Sequence, residues 1–160
     1  SFFNSLNDDI IKKIVLRFPY KNLKKDSVDF FSNLDQFNFD SKDSFETACN
    51  KSKLIINTAN STTFCETLTN NIPSILIINK ENNPFRKDAL KALNELEENK
   101  LLFYSTEKAS NFINKIWDGD IKTWWFDKKT QNALNIFRNN YARRSNNIIE
   151  DYYKEIINDY

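Results

Sequence analysis

Residues 53 to 77, KLIINTANSTTFCETLTNNIPSILI, set two apolar runs on either side of a hydroxyl-rich turn and a glutamate. Ser61, Thr62 and Thr63 fall where such a turn would enter a helix. Hydroxyls there, with the unpaired N–H groups of a first helical turn and the partial positive charge of the helix end, make a place for a phosphate or a carboxylate. The same residues have an ordinary use as well. Any one hydroxyl can cap the helix, and Thr63 with Glu66 has the T-x-x-E spacing of a capping box. The turn also lacks glycine, the usual means of bringing backbone up to a pyrophosphate.

Few other residues could do chemistry. Arg17 closes the run KIVLR and Arg86 follows NNPF. Guanidinium groups suit bidentate contact with phosphate or carboxylate, and both arginines would reach the same rim in a parallel sheet; otherwise they are solvated surface cations. Asp40 and Asp43 fall at another strand end, where they are either general bases or helix caps. Trp124 and Trp125 are neighbours, so a helix cannot turn both to one face. One is expected in the core and the other against a partner; stacking on a sugar or base is the alternative. The chain has no histidine, one glycine and two cysteines, Cys49 and Cys65, at no metal-ligand spacing. Free thiols in a reducing compartment follow, and with them a cytoplasmic location.

The elements that must position these residues alternate. IIKKIVLRF (10–18) reads as a helix tail passing into a strand closed by Pro19, and residues 21–33 as a loop or irregular helix. DQFNFD predicts a short strand, and DSFETACN a short helix capped by Asp43 or Ser44. KLIIN and SILII are continuous apolar runs, the pattern of strands covered on both faces in a parallel sheet. Between them Phe64 and Leu68 share one helical face, and Asn70-Asn71-Ile72-Pro73 stops the helix. A helix with Leu90, Leu93 and Leu96 inward, the strand LLFYS, and a helix capped by Thr106 with Ala109, Phe112, Ile113 and Ile116 inward come next. From about residue 120 the chain reads as a helical tail, with Leu134, Phe137 and Tyr141 in one stripe. The sum is a single α/β domain over 1–160, a doubly wound, mainly parallel, Rossmann-like sheet of four to five strands with the helical tail at its C-terminus.

At 160 residues with 40% hydrophobic content the chain can fill one core. A formal charge of +1 argues against nucleic acid as a partner. The apolar runs are too short for a transmembrane segment. Ser1 in place of methionine suggests that sequence precedes it.

As a series, KIVLRFPY, SKLIINTANSTTFCETLTNNIPSILIIN, FRKDALKALNELEENKLLFYSTEKASNFINKIW and WWFDKKTQNALNIFRNNYA resemble, over about residues 10 to 145, the C-terminal part of a family of transferases of bacterial surface carbohydrate biosynthesis. TANSTTFCETLTNNIPSI also resembles the serine/threonine turn and glutamate helix of the nucleotide-sugar-binding domain in glycosyltransferases of GT-B architecture. The resemblance implies a donor site. Ser61, Thr62 and Thr63 would meet donor phosphates, Glu66 the ribose or sugar hydroxyls, and Arg17 and Arg86 would offset negative charge. It implies a nucleotide-sugar substrate with no tightly bound cofactor, a glycan acceptor, and an N-terminal domain or partner subunit completing a two-domain enzyme. Work at the inner face of the membrane would fit that role. A different class stays open: a non-catalytic α/β module docking a partner through Trp117, Trp124 and Trp125. So does a phosphate-binding or epimerase-like relative on the same fold.

Overall fold

A strand without polar alternation must be covered on both faces, and this decides the architecture. In the computed structural model the described residues are 2–17, 37–40 and 42–143, with 145, 147, 149, 150, 153, 156 and 157 beyond them. The central strand β4, Ser74–Ile77, is buried along its whole length. It pairs in parallel with β3, Ile55–Asn57, on one side and with β5, Leu102–Phe103, on the other. Parallel pairing cannot be closed by a tight turn, so each connection is a helical crossover. Helix α3, Thr62–Thr69, joins β3 to β4, and α4, Leu90–Glu98, joins β4 to β5.

The two faces of β4 carry different cores. Leu76 and Ile78 pack with Phe64 and Leu68 of α3, Leu93 and Leu96 of α4, and Trp125, Leu134 and Phe137. Ile75 and Ile77 pack on the other side with Phe103, Ala109, Ile113, Leu6 and Ile10. Phe103 is on β5; the others belong to α5, Thr106–Asp118, and to the N-terminal segment that holds α1, Asp8–Ile11. Each of these large side chains, fully buried, contributes roughly 1.5–3 kcal/mol. The α/β class with a parallel sheet is as expected. The strands divide, however: β1, Val15–Leu16, and β2, Asn38–Phe39, pair in parallel as a separate two-stranded sheet. At two residues each, they carry no described hydrogen bond that joins them to β3.

Local differences have local causes. Helix α2, Phe45–Lys51, is capped by Ser44, whose Oγ accepts the Thr47 N–H at 3.1 Å. Helix α5 is capped by Ser105 and not by Thr106, which is its first helical residue. On α4 the inward positions are Ala92, Leu93 and Leu96, whereas Leu90, the first residue of the helix, is 44% exposed. The tail is two helices here, α6, Ile121–Trp125, and α7, Lys128–Tyr141, each begun by an aspartate. Asp120 accepts the Lys122 N–H at 2.9 Å and Asp127 that of Lys129 at 2.8 Å. Leu134 and Phe137 point inward, whereas Tyr141 is 41% exposed and donates its hydroxyl to the Asp88 carbonyl. The strand end at Pro19 and the segment 21–33 lie outside the described residues.

Two helices end in the same way without glycine. After α3, Asn71 takes φ 55°. Its N–H donates to the Leu68 carbonyl and the Ile72 N–H to the Thr67 carbonyl, which is the Schellman pattern. After α4, Lys100 takes φ 64°, and the Lys100 and Leu101 N–H groups donate to Glu97 and Leu96. Asn71 is also an anchor. Its Oδ1 accepts from Arg138 Nη2 at 2.8 Å, Trp125 Nε1 at 3.1 Å and Gln131 Nε2 at 3.3 Å. Arg138 Nε donates to the Leu68 carbonyl at 2.6 Å. The two left-handed positions therefore predict opposite outcomes. Lys100→Gly relieves a strained side-chain-bearing residue and raises stability by about 0.5–1 kcal/mol. Asn71→Gly relieves the same strain but leaves half-buried donors unanswered, and lowers stability by about 2 kcal/mol or more. Urea unfolding of both variants checks the pair.

Candidate functional site

Because all three strands of the larger sheet run the same way, the chain leaves each of them at one rim. From β3 the chain passes through Thr58, Ala59 and Asn60, all exposed, to Ser61 and into α3. From β4 it passes Asn79, whose Oδ1 accepts the Glu81 N–H at 2.7 Å, and Lys80, whose ammonium lies 5.1 Å from the Tyr104 ring centre. From β5 it passes Tyr104 to the cap of α5 at Ser105.

At the entry to α3 the backbone is left open. Ser61 is extended at φ −135° and ψ 170°, as a cap residue is, but its side chain makes no capping bond. Its carbonyl accepts the Phe64 and Cys65 N–H groups at 3.0 and 3.3 Å, leaving the preceding first-turn amides without a described partner. Ser61 and Thr62 are exposed, and Thr63 is half-buried. The Thr63–Glu66 capping box is not formed: the residue that caps α3 by conformation is Ser61, and a box would then need its acid at position 64, which is Phe64. No positive φ occurs in this turn, so its lack of glycine costs nothing. Just below it, at the end of β3, Asn57 is 7% exposed and its Nδ2 is buried without a partner. An orphaned buried donor of this kind costs about 1–3 kcal/mol.

The sequence-predicted residues gather only in part. Glu66 lies exposed on α3 one turn beyond Ser61 and Thr62. Arg17, at the carboxyl end of β1, is bound to Asp40 at 2.6 Å. Burial raises the pKa of the Cys49 thiol on α2, with Arg17 opposing the rise and Glu66 adding to it. Arg86 is exposed and held by Asp88 at 3.1 Å. Asp40 and Asp43 are structural: Asp40 Oδ1 accepts the Lys42 and Asp43 N–H groups, and Asp43 binds Lys51 at 2.7 Å. Lys80 and Asn57 were not singled out by sequence. Lys80 had a signal, since it lies two residues past the apolar run of the central strand; Asn57 had none beyond ending KLIIN.

The tail is occupied within the chain. Trp125 is fully buried and bonded to Asn71. Trp124 is half-buried, stacks edge-on with Phe112 at 5.2 Å and donates to the Asn99 carbonyl at 3.4 Å. Trp117 is half-buried with Lys53 and Lys13 at 4.8 and 5.6 Å from its ring centre. Trp124 and Trp125 meet edge-on, ring centres 5.5 Å apart; Trp125 is in the core as expected of one of the pair, and Trp124 packs partly against the same core. Two shallow depressions, about 430 Å³ beside Asp120 and Trp124 and about 360 Å³ beside Glu98 and Lys129, lie away from the rim. Among the described residues no cluster fit for a metal occurs, and no helix is long and apolar enough to cross a membrane.

The model of one protein family, described as LIC12162 family transferase, matches residues 1–156. No curated protein and no solved structure matches the chain.

Asp40 supplies a pH test of its bonds to Arg17, Lys42 and Asp43. Backbone N–H bonds from Asp43 and Lys42 pull its pKa below the ordinary 3.8, burial opposes them, and Arg17 lowers it further. A depressed folded pKa means that the stabilisation is complete above pH 3.8 and is lost as pH falls through the lower, folded value. Asp40→Asn should therefore melt below the parent at neutral pH, and the gap should close as the pH is taken below 3.8 in a thermal-melt series.

Proposed function

The chain belongs to the LIC12162 family of transferases, and from that premise we propose that it is the donor-binding part of a GT-B-like glycosyltransferase of bacterial surface polysaccharide biosynthesis. The observation that carries this reading is the open, uncapped entry to α3 at the rim where the parallel strands end. In open α/β sheets ligands sit outside the carboxyl ends of the strands. The diphosphate of a nucleotide-sugar meets the first-turn amides and the hydroxyls of Ser61, Thr62 and Thr63. Glu66, one turn further along α3, accepts hydrogen bonds from ribose or sugar hydroxyls, which a carboxylate does more strongly than a neutral group.

Transfer of the sugar leaves negative charge on the departing diphosphate, and fixed donors aimed at that charge lower the barrier. Arg17 adds positive charge from the neighbouring small sheet while Asp40 holds its direction. Arg86, exposed and paired with Asp88 at the surface, joins by leaving that pair. The glycan acceptor and the wall opposite the turn come from an N-terminal domain or partner subunit, with the reaction at the cytoplasmic face of the membrane.

The test is titration of the ¹⁵N-labelled chain with uridine and guanosine diphosphates. Saturable shifts are expected at residues 58 to 66, weakened about tenfold in Ser61→Ala/Thr62→Ala, equivalent to about 1.4 kcal/mol. Spectra unchanged at millimolar nucleotide would reject the reading.

A further inference from the structure

The depression of about 430 Å³ beside Asp120 and Trp124 forms where α5, α6 and α7 meet, and its size falls in the range of small-molecule sites. Ile116 and Trp124 give it apolar carbon. Trp124 is half-buried, held edge-on by Phe112 at 5.2 Å and Trp125 at 5.5 Å between ring centres, and its indole N–H is already given to the Asn99 carbonyl. What the indole leaves to the depression is ring carbon, on a platform fixed from two sides. Thr130 lies in the same lining and is 3% exposed. Its hydroxyl has no hydrogen-bond partner among the described residues, yet it is not a side-chain atom sealed from solvent, so the sliver of Thr130 that solvent reaches includes Oγ1. A hydroxyl on so buried a residue normally finds a partner inside the protein. This one is left to whatever occupies the depression.

The chain's only glycine borders the same space. Gly119 has a negative φ of −90°, and a Cβ there would meet nothing nearer than the Ile116 and Lys115 carbonyls at 3.8 Å. Neither backbone nor packing requires glycine at this position; its effect is to leave the mouth of the depression unobstructed. Around that mouth the polar groups are of mixed kind. Asp120 accepts the Lys122 N–H at 2.9 Å and the Thr123 hydroxyl at 3.3 Å, and Asp127 Oδ2 accepts the Lys129 N–H at 2.8 Å. Capping thus fixes both carboxylates and leaves Asp127 Oδ1 without a described partner. Lys115 forms no ion pair with a described residue. Two carboxylates repel an anion, and Lys115 opposes a cation. A neutral ligand whose hydroxyls both donate and accept suits such a border, and an apolar C–H face suits the indole carbon. A pyranose has both.

We propose that this depression is a carbohydrate site, in which a hexopyranose lies with its C–H face against Trp124 and bonds its hydroxyls to Asp127 and Thr130. The site lies away from the β3–α3 turn and uses none of its residues, so it stands or falls independently of the donor-site reading. Pre-set carboxylates and a braced indole mean that little has to be ordered when the sugar arrives.

The experiment titrates the ¹⁵N-labelled full chain with methyl α-glucopyranoside, methyl α-mannopyranoside and methyl β-galactopyranoside, and separately with tetramethylammonium chloride. Gly119, as the one glycine, supplies an amide signal that stands apart, and the Trp124 indole N–H supplies a second. Both are expected to shift saturably with at least one glycoside at millimolar concentration. Affinity should fall about fivefold in Thr130→Val and in Asp127→Asn. Thr130→Val should melt no lower than the parent, because it loses a hydroxyl that has no partner, and asparagine keeps the cap of α7. Weakened binding in these variants is then a loss of contact rather than of fold. Signals unmoved by all three glycosides overturn the proposal. So do equal affinities in the parent and both variants, or a response to tetramethylammonium alone.

Discussion

The burial of β4 on both faces is the constraint from which the rest follows. A strand with Ile75 and Ile77 on one side and Leu76 and Ile78 on the other needs a helical layer above and below it. The two crossover helices, α3 and α4, cover one face, α5 and the N-terminal segment cover the other, and crossovers of that length make the strands parallel. Parallel strands release the chain at one edge. The position of the open turn at 58–61 beside Lys80 and Tyr104 is therefore not a separate design element. It is where a two-faced core obliges the loops to be.

Helix α3 is fixed firmly at one end and left open at the other. At its C-terminus the Schellman bonds, the Arg138 donation to the Leu68 carbonyl and the Thr69 hydroxyl bond to the Ala142 carbonyl use the last carbonyls of the helix or brace them. In its middle Thr67 donates to the Phe64 carbonyl and accepts from Ser74 of β4. At its N-terminus nothing comparable happens. The contrast is instructive because unpaired groups at both ends of a helix normally find partners. Strong anchoring through α7 lets the free end hold its position without filling its own donors, which is the arrangement expected where a ligand completes the bonding.

The parts of this fold legible in the sequence were those set by apolar burial over several residues. KLIIN and SILII became β3 and β4, and Phe64 and Leu68 became the inner face of α3, because burial on a regular period leaves a pattern that survives translation into text. The separation of β1 and β2 into their own sheet was not legible, since two-residue pairings carry no pattern. Nor was the role of the tail tryptophans. Adjacency in sequence did not show that the two rings meet edge-on, nor that Trp124 finds Asn99 and Phe112, distant in sequence. At the site, the hydroxyl turn was legible by its place after an apolar run. Asn57 was not, because a buried asparagine is ordinary until its partners are counted.

The cations named for the proposed site are already matched in a chain of net charge +1. Arg17 is matched by Asp40, Arg86 by Asp88, and Lys80 leans on Tyr104. Surface ion pairs of this kind are worth little and keep guanidinium groups from acting as an undirected field. What the turn itself presents is dipolar: amide N–H groups, hydroxyls and the end of α3. Dipoles in fixed positions favour an anion only at short range and in one orientation, whereas free cations attract any anion from a distance. A site that fixes the orientation of its ligand gains more from the first than from the second. Near-neutrality at this rim is thus compatible with anion binding, and it shifts the demand from charge to geometry, the property that the anchored C-terminus of α3 supplies.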